Sequence, residues 1–438
     1  KTQPLSDYAA QRRGGRGKSA TSMKEDDYIQ HLIVTSNHAT VLCFTNVGKV
    51  YRLKVYDVPQ ASRGAKGRPM VNLLPLDANE TITAILPVID APKKFKDRLV
   101  DFQAFVKANK AKLQENEIIN AHFVELEAAL AELEDGDDLS VALRLQLKQL
   151  GVELSATDID DEIVSEFATL AETLRKNHYV FMATQAGTIK RVELEQFGHV
   201  RSNGLRALEL NEADTLIGVA ITDGEQQIML FSNEGKAIRF AETDVRSMGR
   251  SAKGVRGMRV TIGAVQTEEA DDVDSDDEDL DTTFISRIVS LVVVPETGEV
   301  LCASANGYGK RTPVDDFPTK KRGGKGVIAL KTSERNGELV GAVAIDASKE
   351  LMLISDGGTL VRTRASEVAQ TGRNAQGVRL IRLGENETLV GVEAIEAVEE
   401  EELLDDASLA EPSEVLIDDE TIIDETENES GLNDPEAD

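Results

Sequence analysis

The sequence predicts an all-β protein in which six blades of short strands are arranged radially, with an α-helical insertion and a disordered acidic tail. Three observations support this prediction. A strand–turn–strand pattern returns about every fifty residues, one long stretch has helical periodicity instead, and charge is distributed very unevenly along the chain. The 438 residues are long enough for one large repeat fold.

The repeating pattern is an apolar run, the motif Ser/Thr-x-x-Gly, and a second run that carries a basic residue four positions after the glycine. A glycine at the end of so short a connection predicts a hairpin turn with positive φ. The pattern occurs at Thr45–Gly48 with Arg52, Thr184–Gly187 with Arg191, Ser232–Gly235 with Arg239, Ser304–Gly307 with Arg311, and Ser355–Gly358 with Arg362.

A loop rich in glycine and basic residues follows each hairpin. The loops end at Gly67, Gly204, Gly254, Gly326 and Gly377, and a sixth runs from Gln11 to Gly17. Their last glycines are 50, 137, 50, 72 and 51 residues apart. Setting aside residues 91–177 and the acidic run 264–283 restores a period of about 50, which predicts six repeats with two insertions.

An apolar strand closes each repeat, so that four short strands make one blade and ring closure protects most strand edges. These strands are predicted at Tyr28–Thr35, Thr81–Val88, Thr215–Thr222, Ser286–Val294, Leu339–Ile345 and Leu389–Ile395. Lys1 lies 16 residues before Gly17, inside a repeat. We therefore expect the chain to be a fragment, with a strand and a turn glycine just upstream.

The insertion at 91–177 has helical periodicity. Leucines at 139, 143, 147 and 150 form a stripe that Gly151 is expected to end, and a capping-box-like Thr157 with Asp160 precedes apolar residues at 163, 167, 170 and 174. Residues 97–111 and 117–134 also favour helix. Three or four helices packed outside the blades are predicted, serving either as a structural appendage or as a partner-binding module.

The predicted domains are 1–90 with the first blades, 91–177 with the helices, 178–395 with the remaining blades and the acidic loop 264–283, and the tail 396–438. The net charge of −29 conceals their difference. The tail holds 19 acidic residues and the acidic loop 10, both without Lys or Arg, whereas the body without the tail, loop and insertion has 38 bases against 31 acids. A basic body with acidic appendages predicts a polyanionic partner.

The basic loops are the candidate binding site, because six loops at one repeat position form a belt around one rim. Arginine forks and the backbone N–H groups that glycine exposes are phosphate ligands. The loops lack aromatic residues for base stacking, and no recognition helix is evident, so we predict sequence-independent binding of duplex DNA. The candidates are Gln11, Arg12, Arg13, Gly14, Gly15, Arg16, Gly17 and Lys18; Arg63, Lys66 and Arg68; Arg201 and Arg206; Arg250, Lys253 and Arg256; Lys320, Lys321, Arg322 and Lys325; Arg373 and Arg379.

Other classes of function find little support in the sequence. Gly17-Lys18-Ser19 ends like a nucleotide-binding P-loop, but Arg12 stands where the first glycine is required. The aspartates at 272, 274 and 276 imitate a calcium loop, yet Asp277 replaces its glycine and Thr283 its last glutamate. The five histidines show no ligand spacing and no nucleophile–base pair stands out, so we expect no metal and no active site in this chain.

Location is predicted from two further features. The chain has no apolar run long enough to span a membrane and no visible signal peptide. Cys43 and Cys302 are far apart and form neither a disulfide framework nor a zinc site, which favours a reducing cytoplasm.

The repeats resemble the C-terminal domain of the DNA gyrase A protein. The stretch Gln11-Arg12-Arg13-Gly14-Gly15-Arg16-Gly17 is similar to the gyrase box, which distinguishes gyrase from topoisomerase IV. The stretches Tyr308-Gly309-Lys310-Arg311-Thr312 and Gly358-Thr359-Leu360-Val361-Arg362-Thr363-Arg364 are similar to blade motifs of that family. The resemblance covers about 1–90, 178–263 and 284–395, whereas the insertion and the acidic loop depart from it.

The resemblance implies a six-bladed β-pinwheel that wraps DNA on its rim, with a tail that modulates wrapping. It implies that the wrapped segment is handed to a strand-passage enzyme for ATP-driven negative supercoiling, together with the N-terminal part of the same polypeptide and the gyrase B protein in an A2B2 heterotetramer in the bacterial cytoplasm, associated with the nucleoid. ATP and Mg²⁺ would bind outside this chain. The nucleophilic tyrosine would lie upstream, so none of the six tyrosines here inherits its role.

Two alternatives remain open from the sequence. One is the topoisomerase IV C-terminal domain, where wrapping is weak and against which the intact box argues. The other is a propeller-like scaffold that binds proteins through its loops or its helical insertion.

Overall fold

A computed structural model of the chain describes residues 1–8, 18–19, 32–62, 65–88, 93–131, 133, 139–156, 161–211, 213–264, 282–284, 286–295 and 297–397. Within these residues the fold consists mainly of five four-stranded antiparallel sheets, and one helical segment is inserted between two of the strands. The all-β, repeat-based prediction is confirmed.

The strands follow the predicted repeats. In chain order they are β1 (Lys18–Ser19), β2 (Thr40–Thr45), β3 (Lys49–Lys54), β4 (Ile82–Val88), β5 (Tyr179–Thr184), β6 (Thr188–Glu193), β7 (Leu205–Arg206), β8 (Leu216–Thr222), β9 (Gln227–Ser232), β10 (Lys236–Ala241), β11 (Val255–Arg256), β12 (Ile262–Ala264), β13 (Thr282–Phe284), β14 (Ile288–Val294), β15 (Glu299–Ser304), β16 (Tyr308–Pro313), β17 (Val327–Ile328), β18 (Leu339–Ile345), β19 (Glu350–Ser355), β20 (Thr359–Arg364), β21 (Val378–Arg379) and β22 (Leu389–Ile395). A short pair, β12 with β13, flanks the acidic loop, most of which lies outside the described residues.

Each sheet borrows its outermost strand from the next repeat. The sheet of the second repeat has the order β4-β2-β3-β7, in which β7 belongs to the third repeat, and the other sheets follow the same rule. The last sheet is completed by β1 of the first repeat, through pairing of Lys18 with Leu360. The expectation that each repeat keeps its own four strands is therefore wrong. Exchange gives an outer edge a backbone partner that a local hairpin cannot supply.

The first repeat links both ends of the row of sheets. Tyr8 is buried in a cluster with Met352 and Ile395 of the sixth repeat. On the other side, Lys1 Nζ donates to the carbonyl of Ala65 in the second repeat, 2.7 Å away. The sheets therefore form a closed ring, because the first repeat contacts both the last and the second.

The predicted hairpin turns and loop ends are confirmed in backbone detail. All five turn glycines and all five described loop-end glycines have φ between +73° and +98°. At Gly48 there is also no room for a side chain, since a Cβ would lie 2.3 Å from the carbonyl oxygen of Leu208. The motif hydroxyl has a structural partner as well: Thr184 Oγ1 donates to Asp214 Oδ2 at 2.7 Å.

The hydrophobic core lies between neighbouring blades. The innermost strands β4, β8, β14, β18 and β22 pack side by side in repeat order. One core cluster joins Leu42 and Phe44 of the second repeat to Val180 and Met182 of the third. Neighbouring blades therefore stabilise one another through shared apolar surface.

One predicted inner strand differs in the structure. Of the expected strand Tyr28–Thr35, only residues 32–35 are described, and they form no regular strand. Leu32 and Val34 nonetheless pack against the cluster that contains Tyr8. No helix in the described part of the chain is long and apolar enough to cross a membrane.

Four helices form the insertion between β4 and β5. They are α1 (Phe95–Glu115), α2 (Glu117–Ala131), α3 (Val141–Ser155) and α4 (Glu162–Arg175). They bury a core of their own, in which Phe102 and Phe167 have ring centroids 5.4 Å apart. Helices packed on one another are thus confirmed.

Two helix boundaries differ from prediction. Gly151 does not end α3, which continues to Ser155 because Leu154 extends the buried stripe. The N-cap of α4 is Asp161, whose side chain accepts from Ile163 N at 2.8 Å. The expected capping residues Thr157 and Asp160 lie outside the described residues.

Polar contacts fix the insertion to the third repeat. Glu195 accepts a hydrogen bond from the backbone N–H of Phe95, at the start of α1, at 2.7 Å. Arg175, buried at the end of α4, contacts Glu225 at 2.5 Å, and Lys148 contacts the same carboxylate at 3.0 Å. Glu225 lies in the turn before β9, so the insertion rests on the β-ring at a defined place.

Candidate nucleic-acid interface

The basic loops lie along the outer edge of the ring. The chain after β10, for example, contacts strand β6, in the sheet of the preceding repeat, twice. Ser247 forms a bridge with Arg191, and eight residues later Val255 pairs with Ile189. The segment between these two contacts forms an arch over the outer edge of that sheet. The loops of the fifth and sixth repeats make the same pair of contacts on β10 and β16. The loops of the fourth, fifth and sixth repeats therefore occupy equivalent positions on successive blades.

Most predicted site residues in the described segments are exposed. The exposed ones are Lys66, Arg68, Arg201, Arg206, Lys253, Arg256, Lys320, Lys321, Lys325 and Arg379. Arg250, Arg322 and Arg373 are half-buried. Gln11, Arg12, Arg13, Gly14, Gly15, Arg16, Gly17 and Arg63 lie outside the described residues, and for Lys18 only the backbone is described.

The borrowed strands place single arginines at regular intervals. Arg206, Arg256 and Arg379 are each the second residue of a two-residue outer strand. Antiparallel pairing holds their backbones against β3, β6 and β16. Ile328 and Ser19 occupy the same position in the remaining sheets. Three of the five described sheets therefore carry a guanidinium on the outermost strand.

Two half-buried arginines tie neighbouring loops together. Arg322 donates to the carbonyl of Asp244 and to that of Arg256, each at 3.0 Å. Arg373 donates to the carbonyl of Ile328 at 3.4 Å. These contacts use part of their donor capacity to connect successive loops.

The base of the hairpin motif has a role that sequence reasoning missed. Arg311 donates to the carbonyl of Val368 in the next repeat at 2.8 Å and pairs with Glu299 of its own sheet at 2.6 Å. Arg362 pairs with buried Glu350 at 2.5 Å and donates to the carbonyl of Tyr8 at 3.0 Å. These contacts join consecutive blades, and the equivalent residues Arg191 and Arg239 do the same through Glu242 and through the carbonyls of Val314 and Phe317. We call these four residues the stapling arginines.

A signal for this role was present in the sequence. A polar or aromatic partner stands twelve residues before each stapling arginine, at Tyr179, Gln227, Glu299 and Glu350. In a hairpin with so short a turn, that spacing brings the two side chains to neighbouring strands. The ring of Tyr179 accordingly lies 4.4 Å from the guanidinium of Arg191.

Arg52 is the exception in this series. Thr40 stands at the partner position, and no ion pair among the described residues involves Arg52. Its exposed side chain lines a cavity of about 530 Å³ between the second and third repeats, which the insertion bounds with Phe95 and Arg98. The insertion therefore adjoins a junction that lacks this staple.

Two lysines are buried directly beneath basic loops. Lys190 and Lys310 are almost completely inaccessible to solvent. Burial lowers the pKa of each to about 8. In contrast, burial raises the pKa of the Cys302 thiol, which lies near Lys310, to about 12. Both cysteines are free and buried.

The described residues also bear on the requirements of metal and nucleotide sites. No cluster of three or more His, Cys, Asp or Glu side chains with ligand geometry occurs among the described residues. The calcium-like aspartates at 272, 274 and 276 lie outside them, and Thr283 belongs to β13. In the segment that resembles a P-loop, Lys18 and Ser19 form the outer strand β1.

Blades with exchanged outer strands, and basic loops at equivalent positions of the described repeats, define the class of the protein as a β-propeller. The chain belongs to the family of the DNA gyrase C-terminal domain, beta-propeller, whose model matches residues 1–36, 39–89, 178–223, 226–273, 298–346 and 349–396. The six matched segments leave out the helical insertion. The resemblance inferred from the sequence is confirmed.

Two curated relatives are named as the A protein of DNA gyrase. The chain is 45% identical over 397 residues to the gyrase A protein of Pseudomonas aeruginosa, covering 90% of this chain and 36% of that protein. It is 39% identical over 431 residues to the gyrase A protein of Escherichia coli K12, covering 98% of this chain and 37% of that protein. The chain thus spans little more than a third of the length of these relatives.

Solved structures share the fold. One described as the DNA gyrase A C-terminal domain aligns with a TM-score of 0.59 at 21% identity, covering 89% of this chain and 94% of that chain. The C-terminal domain of DNA topoisomerase IV aligns with a TM-score of 0.52 at 19% identity, covering 88% of each chain. At these identities the match is to the fold alone.

Proposed function

We propose that this chain binds duplex DNA without sequence specificity and wraps it around the rim of the ring. The observation that carries the proposal is the repetition of an exposed basic loop at the outer edge of successive blades. A duplex following that edge meets a new set of cations at each blade. Lysine and arginine contacts to phosphate supply affinity and carry no sequence information.

Wrapping follows from the closed ring. A duplex that keeps contact with several loops must bend, and a smooth bend of 40–90° over 20–30 base pairs costs on the order of 1–6 kcal/mol. Several phosphate contacts of about 1 kcal/mol or less each offset this cost only if they act together. The regular spacing of Arg206, Arg256 and the neighbouring loop bases meets this requirement.

We further propose that wrapping serves DNA gyrase. In this proposal the chain is the C-terminal part of the gyrase A protein and presents the wrapped segment to a strand-passage enzyme that makes negative supercoils. ATP, Mg²⁺ and the catalytic residues belong to other parts of an A2B2 complex in the bacterial cytoplasm, at the nucleoid. The names of the curated relatives support this assignment.

The acidic tail and the gyrase box are assigned regulatory and anchoring roles within this proposal. The 19 carboxylates of 396–438 compete with DNA for the rim at high effective concentration. Deletion of 396–438 should therefore tighten duplex binding. Arg12, Arg13 and Arg16 hold one end of the DNA path, so changing all three to alanine should abolish wrapping while leaving duplex affinity within about tenfold.

The test measures the affinity for duplex DNA and the change in the linking number of DNA circles. Binding of a random-sequence duplex is measured from 50 to 200 mM salt, and the chain is then added to relaxed circles with a topoisomerase to record the change in linking number. We expect log affinity to fall with log salt at a slope of about −0.9 for each phosphate neutralised, and a linking-number shift of one sign.

Three results would redirect the proposal. A flat salt response, or strong preference for one sequence, rejects electrostatic wrapping. Salt-dependent binding without a linking-number shift matches the alternative of a topoisomerase IV domain that wraps weakly. Absence of duplex binding leaves the protein-binding scaffold, with the helical insertion as its first candidate surface.

A further inference from the structure

Each basic arch in the described part of the ring covers one side chain of the preceding repeat. That residue directly precedes the position of the stapling arginine in its repeat. Lys190, Ile238 and Lys310 lie between the two contacts that fix the ends of the arch. The residues are Lys1, Tyr51, Lys190, Ile238 and Lys310. Lysine therefore alternates with an aromatic or aliphatic residue around the ring. Val361 holds the same position in the sixth repeat, and its arch falls outside the described residues.

The lysines contact the loop backbone directly. Lys310 Nζ donates to the carbonyls of Gly372 and Arg373 at 2.6 and 2.7 Å. Lys190 Nζ donates to the carbonyl of Ala207 at 2.8 Å and to that of Arg250. Both of these bonds of Lys310 go to the loop above it. The two bonds of Lys190 join the fourth-repeat loop to the third repeat.

The bonds of Lys310 and Lys1 go to the carbonyl that closes a turn of the loop above. The carbonyl of Gly372 also accepts from Ala375 N, which closes a turn directly above Lys310. In the second repeat, the carbonyl of Ser62 accepts from both Lys1 Nζ and Ala65 N in the same way. The ammonium groups of Lys310 and Lys1 therefore each fix the carbonyl from which a loop turn is built. Lys190 bonds instead to the carbonyl of Arg250, one residue after the carbonyl of Gly249 that closes the turn of the fourth-repeat loop.

Filling the space beneath an arch does not require a charge. Ile238 occupies the same position under the fifth-repeat loop, where its side chain faces Gly324. The ring of Tyr51 fills the space beneath Gly204, whose added Cβ would lie 2.9 Å away. An apolar side chain is thus sufficient for packing, and buried charges are rarely the most stabilising choice. The lowered pKa of Lys190 and Lys310 shows the same cost of burial.

We propose that Lys190 and Lys310 are positioning residues, which hold the fourth- and sixth-repeat loops in the conformation that presents their bases to DNA phosphates. This inference rests on the proposed DNA-wrapping function and adds a residue role to it. By drawing the carbonyls inward, the ammonium groups order loops that carry Lys253 and Arg373. Ordering before binding reduces the entropy lost when the duplex docks.

The experiment replaces both lysines with methionine, Lys190→Met and Lys310→Met, in the full chain. Methionine keeps an unbranched side chain that is one atom shorter and removes the donor. The matched control is Lys107→Met with Lys110→Met, two exposed lysines of α1 that give the same change of charge and side chain far from the arches. Hydrogen exchange of residues 249–254 and 372–377 is recorded without DNA, and duplex affinity is measured as a function of salt.

We expect faster exchange in those two loops, a duplex affinity about tenfold weaker near 0.1 M salt, and a salt slope reduced by about two. The control should change neither loop exchange nor the slope. A folded double variant with unchanged loop exchange, or with unchanged affinity and slope, overturns the inference. If the methionine variants do not fold, Lys190→Ile with Lys310→Ile, which places the side chain of Ile238 at the equivalent position and removes the donor, carries the same test.

The two proposals fail in different ways. If the unmodified chain binds no duplex, the wrapping function and the role in DNA presentation both fall, and the exchange data alone report loop ordering. If the unmodified chain binds in a salt-dependent manner and the lysine variants bind equally well, the positioning role is rejected and the wrapping function stands.

Discussion

The stapling arginines and the exposed arginines of the rim have the same side chain and opposite surroundings. Arg362 is buried, pairs with Glu350 and bonds to the backbone of the first repeat. Arg206 and Arg256 lie on the outermost strands with their side chains exposed. The two groups are only about fifteen residues apart within a repeat. Burial, and not residue type, therefore separates the bases that build the ring from those that are available to a polyanion.

The comparison also indicates which bases of the body act on its surroundings. A buried guanidinium neutralised by a carboxylate contributes to joining blades and little to the external field. The exposed bases at the outer edge contribute that field, which attracts a polyanion over a distance limited by screening.

The largest expected effect is loss of a staple. Arg362→Ala leaves the carboxylate of Glu350 buried without its cation, and such losses lower the free energy of unfolding by about 3–5 kcal/mol. Denaturant unfolding at neutral pH measures the change. Arg52→Ala, at the same repeat position but exposed, is the control and should change stability by less than about 0.5 kcal/mol. Equal losses in the two variants would contradict the division between staples and exposed bases.

The buried lysines should link stability to pH. A lysine whose pKa is about 8 when folded is neutral between pH 8 and 10.5, whereas in the unfolded chain it is still protonated. The unfolded state then binds more protons, so the free energy of unfolding should rise with pH across this window, by up to roughly 3 kcal/mol for each lysine. The comparison is with Lys190→Met and Lys310→Met, which should lack this rise.

Charged groups near the two lysines also affect the pKa of each lysine, and therefore the pH range over which stability should rise. Arg250 faces Lys190 and lowers its pKa further. Lys310 faces Cys302, Arg373 and Asp316, of which Arg373 acts in the lowering direction and the other two oppose it. If the difference in free energy of unfolding between wild type and variant does not rise from pH 8 to 10, the pKa of the two lysines is not lowered in the folded state.

Removing exposed rim bases should separate binding from stability. Arg206→Ala, Arg256→Ala and Lys325→Ala together take one exposed cation from each of three repeats. Unfolding should be nearly unchanged, while duplex affinity near 0.1 M salt falls about tenfold and the salt slope shrinks by about three. Fluorescence titration at several salt concentrations gives both quantities. A large drop in stability with an unchanged slope would place these residues among the structural ones.

The smallest effect is expected at the insertion. Asp161→Ala removes the N-cap of α4 and should destabilise the helical segment by about 1 kcal/mol. Hydrogen exchange in α3 and α4 measures this effect. Duplex affinity should not change if the insertion is a structural appendage. A change in affinity would instead favour its participation in the DNA path.

Local sequence determined the repeat and its turns. The Ser/Thr-x-x-Gly motif predicted five hairpins, because a glycine with positive φ is a local requirement of so tight a connection. The spacing of the loop glycines predicted six repeats and two insertions. The first insertion is helical in the structure, whereas most of the acidic loop lies outside the described residues. The loop bases were predicted as a set at one repeat position, and most of those described are exposed.

The tertiary structure decided which side chains meet. Exchange of outer strands joins Lys49 to Arg206 across 157 positions, and ring closure joins Lys18 to Leu360. No local signal specifies such pairings, since a two-residue strand has too few side chains to encode a partner. The same long-range contacts bury Arg362 and leave Arg52 exposed, although both occupy one position of the motif. The sequence by itself therefore determined where bases occur, and only the packing of consecutive blades decided whether each base holds the ring together or faces outward.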